Sequence, residues 1–135
     1  MPTVRPCLDA VLAALNARAA ALRITTTPGA EQVRAVHGDM ANRAEVEGAA
    51  GEIAAAYGRV DVLVNNAGAC IHRPALEVTE EEWKTVLDVN ITGVWNGCQA
   101  FGRRMVDAGG GVIVNVGSMS GQIVNRPQWQ PAYNA

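Results

Sequence analysis

Short polar and glycine-containing sequences follow three apolar segments of this chain, and their residue types suit the binding of a ligand. The apolar segment 62–64 runs into Asn65–Gly68, and the segment 112–116 runs into Gly117–Gly121. A third apolar segment ends at Asp39–Met40. Small residues let the main chain approach a ligand closely, while amides and hydroxyls donate and accept hydrogen bonds. If the three segments are parallel strands, their carboxyl ends lie along one edge of a sheet and form a single site.

Each of these sequences also has a simpler interpretation when it is taken alone. Asn65–Gly68 is typical of a turn after a strand, and Gly117–Gly121 has the composition of many loops. Asn90 is different, because its helical spacing from Trp83 and Leu87 places it on the face that packs against the sheet. Since a buried amide must find hydrogen-bond partners, Asn90 is either a satisfied structural residue or part of the site.

The hydrophobic periodicity of the chain predicts alternating helices and strands. Apolar residues recur at helical spacing in three segments, at residues 8–23, 43–57 and about 80–107. Three strands are predicted beside them, at residues 33–37, 62–64 and 112–116, and we expect the last two to be buried on both faces. This alternation is typical of parallel βαβ units. The fold class is therefore α/β, with a doubly wound parallel sheet of about three strands.

The ends of the predicted helices carry local signals. Thr79 followed by Glu82 has the pattern of a capping box, which begins the helix over residues 80–107. Gly93 weakens that helix locally, and Gly109–Gly111 ends it. Near the end of the sequence, Pro131 suits the first turn of a further helix.

Composition excludes several classes of function. A net charge of −2 on 135 residues offers no electrostatic footprint for nucleic acid or an anionic membrane. No stretch reaches the roughly 18 apolar residues that a membrane span needs, and no secretory signal is recognised. Three widely spaced cysteines (Cys7, Cys70, Cys98) predict free thiols in a reducing compartment, and we expect a cytoplasmic protein. His37 and His72 have no ligand-spaced neighbours, so no metal site is expected.

Four motifs, taken in order, resemble the short-chain dehydrogenase/reductase family. They are Asp61–Gly68, Asp88–Asn90, Val112–Gly121 and Tyr133–Ala135. The match covers about residues 32–135, and the four motifs together are specific where each alone is not. The resemblance implies that residues 1–135 form one incomplete domain with a partial, Rossmann-like sheet. The segment Ile123–Gln128 is similar to the branch of the family that acts on polyols and sugars.

The resemblance implies an NAD(P)-dependent oxidoreductase that interconverts a secondary alcohol and a ketone. It implies a small-molecule substrate, with a polyol or sugar first and a 3-oxoacyl thioester second, and a homo-oligomeric protein. The implied cofactor is NAD or NADP. In this family the end of the second strand decides between the two, and this sequence contains no counterpart of that strand.

The resemblance also implies roles for individual residues. Tyr133 matches the acid/base, Ser118 matches the hydroxyl that binds the reacting oxygen, and Asn90 matches the helix residue that holds a water in the proton relay. The implied cofactor contacts come from two groups of residues: Asn66, Ala67 and Gly68 in the turn after a strand, and Asp39 and Met40 beside the adenine ring.

Two serines compete for the catalytic role. Ser120 lies 13 residues before Tyr133, a spacing that is frequent in the family. Ser118 has the family's Ser-x-x-Gly context, which ends here at Gly121. We choose Ser118, because the segment 122–131 is two residues longer than usual and accounts for the difference in spacing.

Two parts of the family pattern fall outside this sequence. The lysine that works with the family's tyrosine lies four positions later, beyond residue 135. The glycine-rich turn that binds the pyrophosphate does not occur upstream of Asp39, so the helix at 8–23 takes the place of the one before the third strand. We therefore expect this chain to be inactive by itself. The alternative is a non-catalytic remnant that dimerises through the helix over residues 80–107.

We predict that the 135-residue polypeptide alone is marginally stable and does not bind NAD(P) with useful affinity. In the strand order 3-2-1-4-5-6, strands 1 and 2 lie between strands 3 and 4, so the strand at 33–37 lacks its neighbours and bare edges favour aggregation. Thermal unfolding followed by circular dichroism, together with titration with NADH, tests this. A cooperative transition combined with micromolar affinity for NADH would contradict it.

Overall fold

The computed structural model of the chain describes residues 36–124 and 127–135. The predicted helix at 8–23 and residues 33–35 of the first predicted strand lie outside these ranges. Val36 and His37, the last two residues of that strand prediction, belong to neither helix nor strand. The elements described below all belong to one compact unit, His37–Ala135.

Helices and strands alternate along this unit, as the periodicity predicts. The elements are, in order, helix α1 (Arg43–Tyr57), strand β1 (Val62–Asn65), a 3-10 turn (Ala75–Glu77), helix α2 (Glu80–Leu87), a π-helical turn (Asp88–Gly93), helix α3 (Val94–Asp107), strand β2 (Val112–Asn115), a second 3-10 turn (Met119–Gly121) and helix α4 (Pro131–Asn134). Two of the three predicted strands are therefore present in the described residues. The first-turn position of Pro131 is also confirmed.

Helix α1 begins and ends where its local sequence requires. The Asn42 side chain accepts hydrogen bonds from the backbone N–H groups of Ala44 and Glu45, at 3.0 and 3.4 Å. At the other end Gly58 adopts φ 79°, a left-handed conformation that glycine enters without steric cost. The bounds of α1 are those predicted from the sequence.

The two strands pair in parallel and in register, from Val62 opposite Val112 to Asn65 opposite Asn115. The segment from α2 to α3 forms the crossover between them, as a parallel pair demands. Helix α3 packs against one face of this pair, and α1 packs against α3. Their shared core consists of Val46, Ala50, Ala100 and Phe101, with Met40, Ile53, Val60 and Leu63 packed around it.

The expectation that both strands are buried on both faces is wrong for the described part of the chain. Successive side chains of a strand point to opposite faces, and Leu63 lies on the face that α3 covers, against the core. On the other face Val62, Val64 and Val112 are 57%, 55% and 57% exposed. Apolar runs identify the strands, but their burial depends on the elements that cover each face.

The predicted helix over residues 80–107 is divided by the π-helical turn at Asp88–Gly93. Its start is the predicted capping box, in which Thr79 Oγ1 accepts from the Glu82 N–H and Glu82 Oε2 accepts from the Thr79 N–H. Its last part, α3, lies so close to β1 that a Cβ atom at Gly97 would overlap Asn65 Oδ1. Among the described residues, no helix is both long enough and apolar enough to cross a bilayer.

We predict that Thr79→Ala lowers the free energy of unfolding by about 1 kcal/mol, because it leaves the N–H of Glu82 without its cap. Chemical denaturation of the full-length gene product at neutral pH measures the change.

The same capping box should depend on pH. Bonding to the Thr79 N–H, assisted by Arg73, holds the pKa of Glu82 below its ordinary value. The stabilisation from Glu82 is therefore complete above the ordinary glutamate pKa of about 4.3 and is lost as the pH falls through the lower pKa of the folded state. Glu82→Gln should be less stable than the parent at neutral pH and approach it in acid, while Glu81→Gln, in the same helical turn, should not show this trend.

Candidate active site

A cavity of about 460 Å³ opens at the carboxyl ends of β1 and β2. The predicted site residues that it brings together are Asn66, Ala67, Gly68, Asn90, Ser118 and Tyr133. The remaining lining residues come from the same loops and from the start of α3: Ala69, Cys70, Val94, Val116, Gly117 and Gly121. Two strand ends therefore share one site, at the edge where an open parallel sheet binds its ligands.

Asn65 and Asn115 form the last residue pair of the two strands, just before the loops that line this cavity. Asn65 is only 5% exposed, and its Nδ2 donates to Asn115 Oδ1 at 2.8 Å. The main chain is bonded at this pair as well, since the Val116 N–H donates to the Asn65 carbonyl at 3.0 Å. The loops that follow both strands therefore leave the sheet from a fixed position.

Asn90 holds the loop after β1 in place. Its Nδ2 donates to the Ala69 carbonyl at 2.9 Å, and its Oδ1 accepts from the Ala69 N–H at 2.8 Å. The π-helical turn that carries Asn90 is a local distortion of a type that is frequent at functional sites. The structure thus gives Asn90 a structural role, as a clamp on Ala69, and also places it in the cavity wall.

The two candidate serines lie in different environments. Ser118 lines the cavity, and its Oγ accepts from the Ser120 N–H at 3.1 Å, which caps the second 3-10 turn. Ser120 is 4% exposed and is not part of the lining. Its Oγ accepts from Gln130 Nε2 at 3.2 Å.

Tyr133 reaches the cavity from helix α4, which is tied to the turn that carries the serines. The Tyr133 N–H donates to the Gln130 carbonyl at 3.1 Å. The neighbouring Asn134 donates through Nδ2 to the carbonyls of Ser120 and Ile123, at 2.6 and 2.9 Å.

Asp39 and Met40 are not part of the cavity lining. Asp39 Oδ1 accepts from the Ala41 N–H at 2.9 Å, within the turn before α1. The Met40 carbonyl accepts from Asn96 Nδ2 at 3.0 Å, and the Met40 side chain lies against Gly93. In the structure Met40 therefore connects the turn before α1 to α3, while the bonds of Asp39 lie within that turn and the start of α1.

Cys70 is a lining residue that sequence reasoning treated only as a free thiol. Its Sγ donates to Gln130 Oε1 at 3.5 Å and lies 3.8 Å from His72 Nε2. Burial raises the pKa of this thiol. Its position two residues after Gly68 was the available signal, since the loop after a strand end lines the site.

A comparison with known protein families assigns this chain to one of them. The family model for short chain dehydrogenase matches residues 8–135, so this chain belongs to the short-chain dehydrogenase family. The match begins well before residue 32, where the resemblance in the sequence begins. Members of this family are NAD(P)-dependent oxidoreductases with a Rossmann-type fold, which confirms the predicted fold class.

The relatives of this chain include polyol dehydrogenases. Galactitol 2-dehydrogenase (L-tagatose-forming) of Cereibacter sphaeroides is 42% identical over 122 residues, which are 90% of this chain and 48% of that protein. D-threitol dehydrogenase of Mycolicibacterium smegmatis is 44% identical over 85 residues, 63% of this chain and 33% of that protein.

A solved relative shows the same fold. The crystal structure of a gluconate 5-dehydrogenase from Burkholderia cenocepacia in complex with NADP and tartrate has a TM-score of 0.66 and 33% identity, and the match covers 71% of this chain and 37% of that one. The chain thus spans about a third to a half of the length of each of these three proteins.

We predict that Asn90→Ala lowers the free energy of unfolding by about 1–3 kcal/mol, because it removes the partner of both backbone groups of Ala69. Hydrogen exchange in the loop at 66–70 should become faster. Thr92→Ala, an exposed change in the same π-helical turn, is the control. Unchanged exchange in the Asn90 variant would show that the clamp does not hold the loop.

Proposed function

We propose that this chain carries part of the catalytic centre of an NAD(P)-dependent dehydrogenase that interconverts a secondary alcohol of a polyol or sugar and the corresponding ketone. The observation that carries the proposal is that Asn90, Ser118 and Tyr133 line one cavity together with the turn at 66–68. Its volume of about 460 Å³ falls within the range of about 300–1,000 Å³ that is usual for small-molecule sites. The names of the polyol dehydrogenases among the relatives support the substrate class.

The residues of the cavity suit proton exchange with the substrate oxygen. In the oxidation direction Tyr133 Oη, deprotonated, takes the proton of the alcohol; in the reduction direction the phenol returns it to the carbonyl oxygen. Ser118 Oγ already accepts from the Ser120 N–H, which leaves its own O–H to donate to the substrate oxygen. The chemistry that a bound nicotinamide cofactor would supply here is hydride transfer to or from the carbon that carries this oxygen.

The turn at 66–68 fits the nicotinamide end of such a cofactor. Ala67 has only a methyl group and Gly68 no side chain, so exposed main chain borders the cavity there. Asp39 and Met40 lie apart from this lining, and their proposed contact with the adenine ring rests on the resemblance. Either NAD or NADP satisfies the proposal, and the NADP complex of the solved gluconate 5-dehydrogenase supports nicotinamide chemistry.

A second candidate is a non-catalytic role in dimerisation. Large side chains are exposed on the crossover between the strands, with Trp83 at 41%, Ile91 at 62% and Trp95 at 58%. Exposed aromatic residues are typical of protein interfaces. The same exposed residues would serve a homo-oligomer of an active enzyme, so catalysis has to be tested directly.

We also propose that the protein is cytoplasmic. Cys70 and Cys98 carry free thiols in the described part of the chain, and free thiols are usual in a reducing compartment.

We predict that Tyr133→Phe lowers kcat about 100-fold or more in the full-length gene product, because it removes the proton-transferring hydroxyl. The assay follows nicotinamide reduction with galactitol and with D-threitol, each with NAD and with NADP. Tyr57→Phe, at the exposed last residue of α1, is the matched control and should keep the parental rate. Full activity in the Tyr133 variant would refute the proposed function, and full activity in Ser118→Ala would refute the choice of serine.

A further inference from the structure

Gln130 is a buried amide with a specific partner at each end of its side chain. It is 5% exposed. Its Nε2 donates to Ser120 Oγ at 3.2 Å, and its Oε1 accepts from Cys70 Sγ at 3.5 Å. A buried amide without partners is strongly unfavourable, so this side chain has one well-determined position.

The main chain of Gln130 also determines where helix α4 begins. Gln130 has φ −142° and ψ 56°, outside the helical region, and its carbonyl accepts from the N–H groups of Tyr133 and Asn134, both at 3.1 Å. Since Tyr133 lies three positions after Gln130, its place in the cavity wall depends on where this helix begins.

Three hydrogen bonds join the two proposed catalytic residues in an unbroken path. Ser118 Oγ accepts from the Ser120 N–H, Ser120 Oγ accepts from Gln130 Nε2, and the Gln130 carbonyl accepts from the Tyr133 N–H. Both intermediate residues are buried, at 4% and 5% exposure, so solvent does not compete strongly for these bonds.

We infer that Gln130 and Ser120 are positioning residues that set Tyr133 at its working distance from Ser118. This inference rests on the proposed function, in which Ser118 and Tyr133 act on the same substrate oxygen. Ser120 then has a role distinct from catalysis: it holds the catalytic serine through its N–H and the tyrosine-bearing helix through its hydroxyl.

The test breaks the Ser120–Gln130 hydrogen bond from each side in the full-length gene product. Gln130→Met keeps the length of the side chain but removes both polar atoms, and Ser120→Ala removes the hydroxyl. Each change should lower kcat about 10- to 100-fold with KM nearly unchanged, since small misplacements of reacting groups have effects of this size. Galactitol and D-threitol, with NAD and NADP, are the substrates.

A double-mutant cycle and a matched control separate positioning from general damage. Because both changes remove the same bond, the double variant should lose no more kcat than the more affected single variant. Gln128→Met makes the same chemical change at an exposed position and should keep the parental kcat. Thermal midpoints are measured for every variant.

Parental kcat in either single variant, or losses in log kcat that simply add in the double variant, would overturn the inference. If Gln130→Met does not fold, Ser120→Ala decides by the same kcat and KM criterion. Failure of the proposed function is distinguishable, because it appears as full activity in Tyr133→Phe. An inactive Tyr133→Phe beside a fully active Gln130→Met rejects the positioning role alone.

Discussion

The parallel register of β1 and β2 is the constraint on which the rest of this structure depends. A shift of one residue would exchange the two faces of a strand and move Leu63 away from the core. The side-chain bond between Asn65 and Asn115 lies at the last pair of the ladder, where the loops leave the sheet. Because both loops start from that pair, the turn at 66–68 and Ser118 face the same cavity.

Side-chain hydrogen bonds to the main chain then hold the loops that follow the two strands in place. Asn90 binds both backbone groups of Ala69, and Asn134 binds two carbonyls in the segment after β2. Amides suit this task since each has a donor and an acceptor of its own. The walls of the cavity are thus irregular segments held by residues on neighbouring helical turns.

What could be predicted from the sequence is mostly what short-range chemistry determines. Helix α1 has its bounds at Asn42 and Gly58, and the capping box at Thr79 depends on a residue three positions away. The exposed face of the strands could not be predicted, because burial depends on the elements that cover a sheet. Partners distant in sequence were likewise inaccessible: Asn90 meets Ala69 across 21 residues, and Gln130 meets Cys70 across 60.

The π-helical turn at Asp88–Gly93 has a consequence for the tolerated length of the chain. A π-helical turn holds more residues than an α-helical turn, because its hydrogen bonds join residues five positions apart instead of four. Deleting one residue here would favour ordinary helical winding and close the wide turn, while α3 could keep its packing in the core. Asn90, which lies within the wide turn, would then move relative to Ala69. The number of residues in this turn therefore helps to aim Asn90 at Ala69, and substitutions at its exposed positions should be accepted more readily than a deletion.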